Sequence, residues 1–267
     1  MAVVERIGVE QTSGSRVRQA GELLWVLTIA QLKARYRRSF LGFFWSLITP
    51  LFQIVVVGFV IQNLLGREID DFTVKYLCGL LPWLFFSDTI LGACPTYLKF
   101  RQVVKKIYFP RWALPVSVAT SSLIHFLVSV AILFSLFPII HIGFFVSFFF
   151  LIVLILIQMI MVTGLALLFS VMHTFYQDVE YALGSLVRVF MFVTPVFYPT
   201  AEIPESYQYL FLFNPMATIC EGFRGVLLRN ELPQFEHLLS TTIFSLVCLG
   251  VGRYYYRRHH HELPEVL

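Results

Sequence analysis

Charge is what this sequence has least of. Asp, Glu, Lys and Arg make up 13% of its 267 residues, where a soluble domain carries about a quarter. Such a chain cannot cover a water-facing surface, and it reads as an integral membrane protein. Other absences narrow the chemistry. No phosphate-binding loop of the form G-x-x-x-x-G-K-[ST] occurs, so ATP hydrolysis by that route is excluded. No nucleophile elbow of the form G-x-S-x-G occurs, and no histidine–carboxylate cluster suggests a metal centre. The expectation is therefore no catalytic residue, no metal and no cofactor in this chain. The four cysteines, Cys78, Cys94, Cys220 and Cys248, are scattered through apolar runs without zinc or redox spacing, which argues against a disulfide framework. The first twenty residues have no apolar core, so no cleavable signal is expected and residues 1–20 read as a short cytoplasmic tail.

What is present is apolar and aromatic. Hydrophobic residues are 58% of the chain, mean hydropathy is +0.76, and there are 28 Phe, 12 Tyr and 4 Trp. Gly21 to Arg38 has Trp25, Ile29, Leu32 and Tyr36 at helical spacing, with Gln31, Lys33, Arg35, Arg37 and Arg38 on the other faces. That pattern predicts an amphipathic helix lying in the cytoplasmic interface. About 20 apolar residues cross a bilayer, and six stretches approach that length. They run over about 39–65, 76–98, 114–140, 144–172, 181–198 and 238–256. A tight turn is expected at His141–Gly143 and a polar loop at His173–Glu180. Residues 199–236 are broken by Pro204, Pro215 and Pro233 into pieces too short to cross, which suits re-entrant or interfacial segments. Tyr198, Tyr207, Tyr209, Phe211 and Phe213 cluster there. The stretch 257–267, RRHHHELPEVL, reads as a polar, solvated tail.

Lys and Arg counts orient these spans. With both ends inside, fifteen basic residues are cytoplasmic: Arg6, Arg16, Arg18, Lys33, Arg35, Arg37, Arg38, Lys99, Arg101, Lys105, Lys106, Arg111, Arg253, Arg257 and Arg258. Four are external: Arg67, Lys75, Arg224 and Arg229. The fold class is all-α integral membrane, with six spans in a single membrane domain over 21–256. Three ionisable residues fall within spans, Asp88, His125 and Arg188. Such residues face a cavity or a partner. Arg188 and Asp88 are candidates for a translocation path, or for a structural pair with each other.

Several strings carry a resemblance: RYRRSFLGFFWSLITPL (Arg35–Leu51), GLLPWLFFSD (Gly79–Asp88), KKIYFPRWALPVS (Lys105–Ser117), YQDVE (Tyr176–Glu180), TPVFYP (Thr194–Pro199) and FNPM (Phe213–Met216). In this order the chain resembles the ABC-2 type permease subunits, in the branch that exports lipid-linked polysaccharides: O-antigen, teichoic acid and, more distantly, capsule. The resemblance implies a homodimer in a bacterial cytoplasmic membrane. It also implies two copies of a separate ATPase subunit that hold ATP and Mg. A gate helix before the first span maps onto Gly21–Arg38. A coupling helix between spans 2 and 3 maps onto Thr96–Lys106, with Tyr97, Phe100, Arg101, Val103, Val104 and Lys105 as expected ATPase contacts. Re-entrant helices between spans 5 and 6 would carry Tyr198, Tyr207, Phe213, Asn214 and Pro215, with the break at Asn214–Pro215. Arg35, Arg37 and Arg38 would form a substrate entrance for lipid-pyrophosphate, since Arg binds phosphate well. Nucleic acid is not an expected partner. Two other readings stay open on the residues alone: an ion-coupled secondary transporter using Asp88, His125 or Arg188, and a membrane enzyme acting on lipid-linked sugars.

Overall fold

The computed structural model describes residues 13–36, 45–60, 72–107, 109–136, 144–198, 200 and 214–267. The elements are α1 (Ser13–Tyr36), α2 (Trp45–Phe59), α3 (Phe72–Ala93), α4 (Thr96–Lys99), α5 (Arg101–Lys106), α6 (Ala113–Leu136), α7 (Phe144–Phe175) and α8 (Asp178–Val193). Then follow α9 (Pro215–Arg224), which runs on as a π-helical turn over Gly225–Arg229, α10 (Phe235–His259) and α11 (Leu263–Val266). No strand occurs among the described residues. Helices suit a lipid solvent because every backbone bond closes within the element.

Four of these helices are long and apolar enough to cross a membrane: Val74–Ala93, Ala113–Phe134, Phe149–Phe175 and Phe235–His259. The other two expected spans correspond to shorter helices. α2 has 15 described residues and α8 has 16. The expected turn at His141–Gly143 lies outside the described residues. The expected polar loop at His173–Glu180 is much shorter than its composition suggests. α7 continues through His173 to Phe175, and α8 starts at Asp178 with two acids, Asp178 and Glu180, in its first turn. Acids there complement the positive end of the helix dipole.

The core lies where α3, α6, α7 and α9 meet. Tyr76, Trp83, Phe85, Phe86, Phe126 and Phe223 are all buried in it. Phe126 links two elements, stacking on Phe85 at 5.2 Å and meeting Phe223 edge-on at 5.7 Å. Hydroxyls within the helices donate back to their own turn, as Thr89 does to the Phe85 carbonyl at 2.7 Å and Ser245 to that of Thr241 at 2.7 Å. That satisfies a polar atom where no water reaches. Pro82 lies inside α3. The buried Gln158 amide of α7 donates to its carbonyl at 2.7 Å.

α7 and α10 pack most intimately. A side-chain carbon at Gly164 would strike the backbone of Cys248 and Leu249, and one at Gly252 would strike the Gly164 carbonyl. Thr241, Ser245 and Gly252 are the buried residues of α10. They recur at helical spacing and line one stripe. Small residues let two backbones meet without intervening side chains, which in lipid is the main source of helix attraction.

Candidate functional site

The molecule has a basic end, formed by the α4–α5 turn, and a far end, where α3 begins and α9 sits. Functional candidates gather at both ends and at one point between them.

At the basic end the expected single coupling helix is two. Phe100, with φ −105° and ψ 22°, separates α4 from α5, and its N–H closes α4 onto Thr96. The expected contact residues divide by exposure. Arg101 and Lys105 are exposed, together with Gln102, Lys106 and Ile107. Phe100 and Val103 are half-buried. Tyr97 and Val104 are buried, in a cluster with Leu114, Val171, Leu263 and Leu267. The Tyr97 hydroxyl donates to the Arg111 carbonyl at 3.2 Å. Burial holds its phenol well above the ordinary value, so it stays neutral. In this conformation Tyr97 and Val104 organise the elbow from within, because their apolar bulk is taken up by the chain itself.

Part of that cluster comes from the stretch expected to be a solvated tail. Leu263 and Leu267 are fully buried. Arg111 donates to the His260 carbonyl at 2.7 Å, and the Trp112 N–H donates to the Tyr256 hydroxyl at 3.1 Å. The three histidines dominate the composition of this stretch and conceal two leucines four residues apart, which share one face of a helical turn.

Between the ends, Arg35 of α1 and Asp88 of α3 form an ion pair at 2.8 Å, each side chain about one-third exposed. Asp88 is thus paired with Arg35, and not with Arg188. His125 of α6 lies within electrostatic reach of both. Leu27 of α1 packs into the basic-end cluster near Leu114, while Arg35 lies near His125. The eleven residues between Leu114 and His125 span about 16 Å of α6. α1 therefore runs along α6. Thr28 is buried; of the expected stripe, Ile29 and Leu32 are half-buried and Trp25 is 58% exposed. The small Thr28 closes its hydroxyl onto the Leu24 carbonyl at 2.7 Å. Arg37 and Arg38 lie outside the described residues.

At the far end Arg224 is fully buried. It donates to the carbonyls of Lys75 at 2.9 Å and Tyr198 at 3.1 Å, and to those of Pro195 and Val196. It also pairs with Glu221 at 3.3 Å, which accepts from Arg229 at 2.7 Å. One guanidinium therefore ties together the start of α3, the turn after α8 and α9. Burial pushes the Glu221 carboxyl up, but Arg229 and Arg224 together hold it below its ordinary value. Asn214 caps α9, accepting from the N–H groups of Met216 and Ala217 at 3.0 and 3.3 Å, and its amide donates to the Thr194 hydroxyl at 3.1 Å. Pro215 takes the first helical position, where its missing donor costs nothing. Tyr198 is half-buried and its hydroxyl donates to the Phe192 carbonyl at 3.1 Å. Tyr207 and Phe213 lie outside the described residues. Arg224 was not singled out by sequence. An arginine that the charge count assigns to the outside looks solvated until five acceptors are seen around it.

Arg188 is exposed on α8. It shares that surface with Tyr181, Leu186, Val189 and Phe192, each more than 60% exposed. α2 likewise turns Phe52, Val55, Val56 and Phe59 outward. All four cysteines are free. No group of three metal-ligating side chains occurs among the described residues.

Comparison with known proteins matches residues 22–228 to the ABC-2 type transporter family. The chain is 29% identical to the O-antigen export system permease protein RfbA of Myxococcus xanthus, over 91% of this chain and 94% of that one. It is 27% identical to the protein of the same name from Klebsiella pneumoniae, over 92% and 95%. Against the polysialic acid transport protein KpsM of Escherichia coli it is 23% identical, over 86% and 91%.

Proposed function

The chain belongs to the ABC-2 type transporter family, and from that premise we propose that it is the membrane permease subunit of an ATP-driven exporter for a lipid-linked polysaccharide. The observation that carries this reading is the near full-length match to permeases named for O-antigen export and polysialic acid transport. The geometry supports it. Between two membrane-spanning helices, α3 and α6, the chain forms a compact elbow that presents Arg101, Lys105 and Lys106 outward. A separate ATPase subunit, holding ATP and Mg, docks on that elbow from the cytoplasm.

In this reading α2 and α8 complete six spans in one membrane domain over 21–256, with both termini cytoplasmic, in the cytoplasmic membrane of a bacterium. Two copies of the chain pair through the apolar outward faces of α2 and α8, and Arg188 lines the path between them. α1 is a gate, held by the Arg35–Asp88 pair. Arg35, with Arg37 and Arg38, meets the pyrophosphate of an incoming lipid-linked glycan, because guanidinium groups bind phosphate in two-pronged fashion. α9, capped by Asn214, is a re-entrant helix at the outer face. ATP binding closes the ATPase pair and displaces the elbow, and transport follows from the different contacts the permease makes in the two states.

The test is reconstitution with the ATPase subunit in vesicles containing a lipid-linked glycan. Glycan must cross only when ATP is hydrolysed. Reversing charge at the elbow, R101E together with K105E, should release the ATPase. Glycan movement driven by a proton gradient without ATP would refute the proposal.

A further inference from the structure

The helix after the last long span packs on the elbow that Proposed function assigns to the ATPase, and the inference rests on that assignment. α10 ends at His259, the chain turns through His260–Glu262, and α11 follows at once. The turn is tight: the His260 N–H donates to the Tyr256 carbonyl at 2.8 Å and the Glu262 N–H to that of His259 at 3.1 Å. Aromatic contacts stiffen it. His259 meets Tyr255 at 4.6 Å and Phe175 of α7 at 5.4 Å, and His260 stacks on Tyr256 at 5.3 Å. Leu263 and Leu267 then enter the cluster that holds Val104 of α5 and Tyr97 of α4. On the other side, Arg111 and Trp112 bond to His260 and Tyr256. The elbow is thus fixed to α10 at both its edges, by apolar contacts through α5 and by hydrogen bonds through the turn before α6. Because α10 meets α7 backbone to backbone, the elbow's second attachment reaches the closely packed α7–α10 pair.

We propose that residues 259–267 form a clasp that makes the elbow, α7 and α10 move as one body, so that Leu263 and Leu267 position α5 for force transmission. Without these residues the elbow is joined to α3 and α6, its neighbours in sequence, and packs on α7 through Tyr97 and Val171, but has no tie to α10 among the contacts described above. The clasp adds a path to the end of the chain's last span, nearly 150 residues away by the Arg111–His260 bond.

Two variants in the full chain, reconstituted with its ATPase, test this. L263S with L267S removes the apolar grip. Insertion of Gly-Gly-Ser between His261 and Glu262 leaves both leucines able to cover α5 but severs them mechanically from α10. Both should still bind the ATPase and hydrolyse ATP. Both should export less glycan per ATP, by about tenfold, in the range that a coupling between sites usually spans. If the insertion exports normally while the double serine variant fails, α11 only covers the apolar side of α5 and the clasp is refuted. If both export normally, it is refuted outright. Should the unmodified complex neither hydrolyse ATP nor export, the failure lies with the assigned function and not with the clasp.

Discussion

Replacing Arg224 by methionine is the sharpest test of how the far end is held. Methionine fills much of the same volume but donates nothing. Four backbone carbonyls, those of Lys75, Pro195, Val196 and Tyr198, then lose their partner. A stranded buried acceptor costs about 1–3 kcal/mol. Taking the lower figure for each, the sum is about 4 kcal/mol. Glu221 keeps Arg229 and adds little. In a chain of this size each kcal/mol moves Tm by about 2–4 °C, which gives a drop of about 8–16 °C. The assay is built into the protein. Cys78 and Cys220 are free and buried beside Arg224, and the Cys220 thiol donates to the Gly79 carbonyl at 3.4 Å. With Cys94 and Cys248 replaced by alanine, a dye that fluoresces on capturing a thiol therefore reports the opening of this end as the detergent-purified protein is heated. R224K should fall between, since one ammonium cannot reach acceptors on three elements. A drop under about 2 °C for R224M, less than one kcal/mol by the same conversion, would show that the carbonyls have other partners and that the reasoning is wrong.

Other outcomes follow from the same geometry. Gly79→Ala puts a methyl against the Arg224 guanidinium and 3.0 Å from the Val196 carbonyl, so it should lower Tm, and in the double variant with R224M its effect should largely vanish. Gly252→Leu drives a side chain into the α7 backbone and should leave little folded protein on size-exclusion chromatography, whereas Gly250→Leu, where no atom lies near, should not. Arg35→Gln and Asp88→Asn should each change stability by less than about 1 kcal/mol, because the pair is partly exposed, yet both should reduce export. The swap R35D/D88R should restore the pair but not export; recovery of export would remove Arg35 from substrate contact. Glu221 has a folded pKa below its ordinary 4.5. Its contribution to stability is therefore complete above about that pH and is lost as pH falls through the folded value. E221Q should be less stable at neutral pH and should flatten the acid limb of a Tm-against-pH curve.

The four long spans were legible because length and apolarity suffice to define them. The break that the resemblance implied at Asn214–Pro215 coincides with the start of α9, where Asn214 caps the helix and Pro215 takes its first position. The four free cysteines likewise match their scattered spacing. What could not be read were features decided by partners far away in sequence. Arg224 became a buried knot only through carbonyls up to 149 positions distant. Thr28 is the buried residue of α1 while the larger Trp25 is exposed, which the apolar spacing alone does not indicate. Asp88 found Arg35 across 53 positions, a choice no local pattern encodes. Leu263 and Leu267 were two apolar residues in a polar stretch, too few for a periodicity to show, and only the elbow gives them something to bury against.

The crossing of Gly164 and Gly252 limits where anything could pass. Two backbones in direct contact leave no room for even a methyl group, let alone a sugar ring, and nothing soft lies between them to be compressed. At this crossing α7 and α10 are therefore sealed against each other. A passage cannot open by prising them apart without breaking the contact that holds the fold. In the proposed dimer, space for a polymer comes from faces that the single chain leaves uncovered, such as those of α2 and α8, and its width is set by how far the two molecules separate.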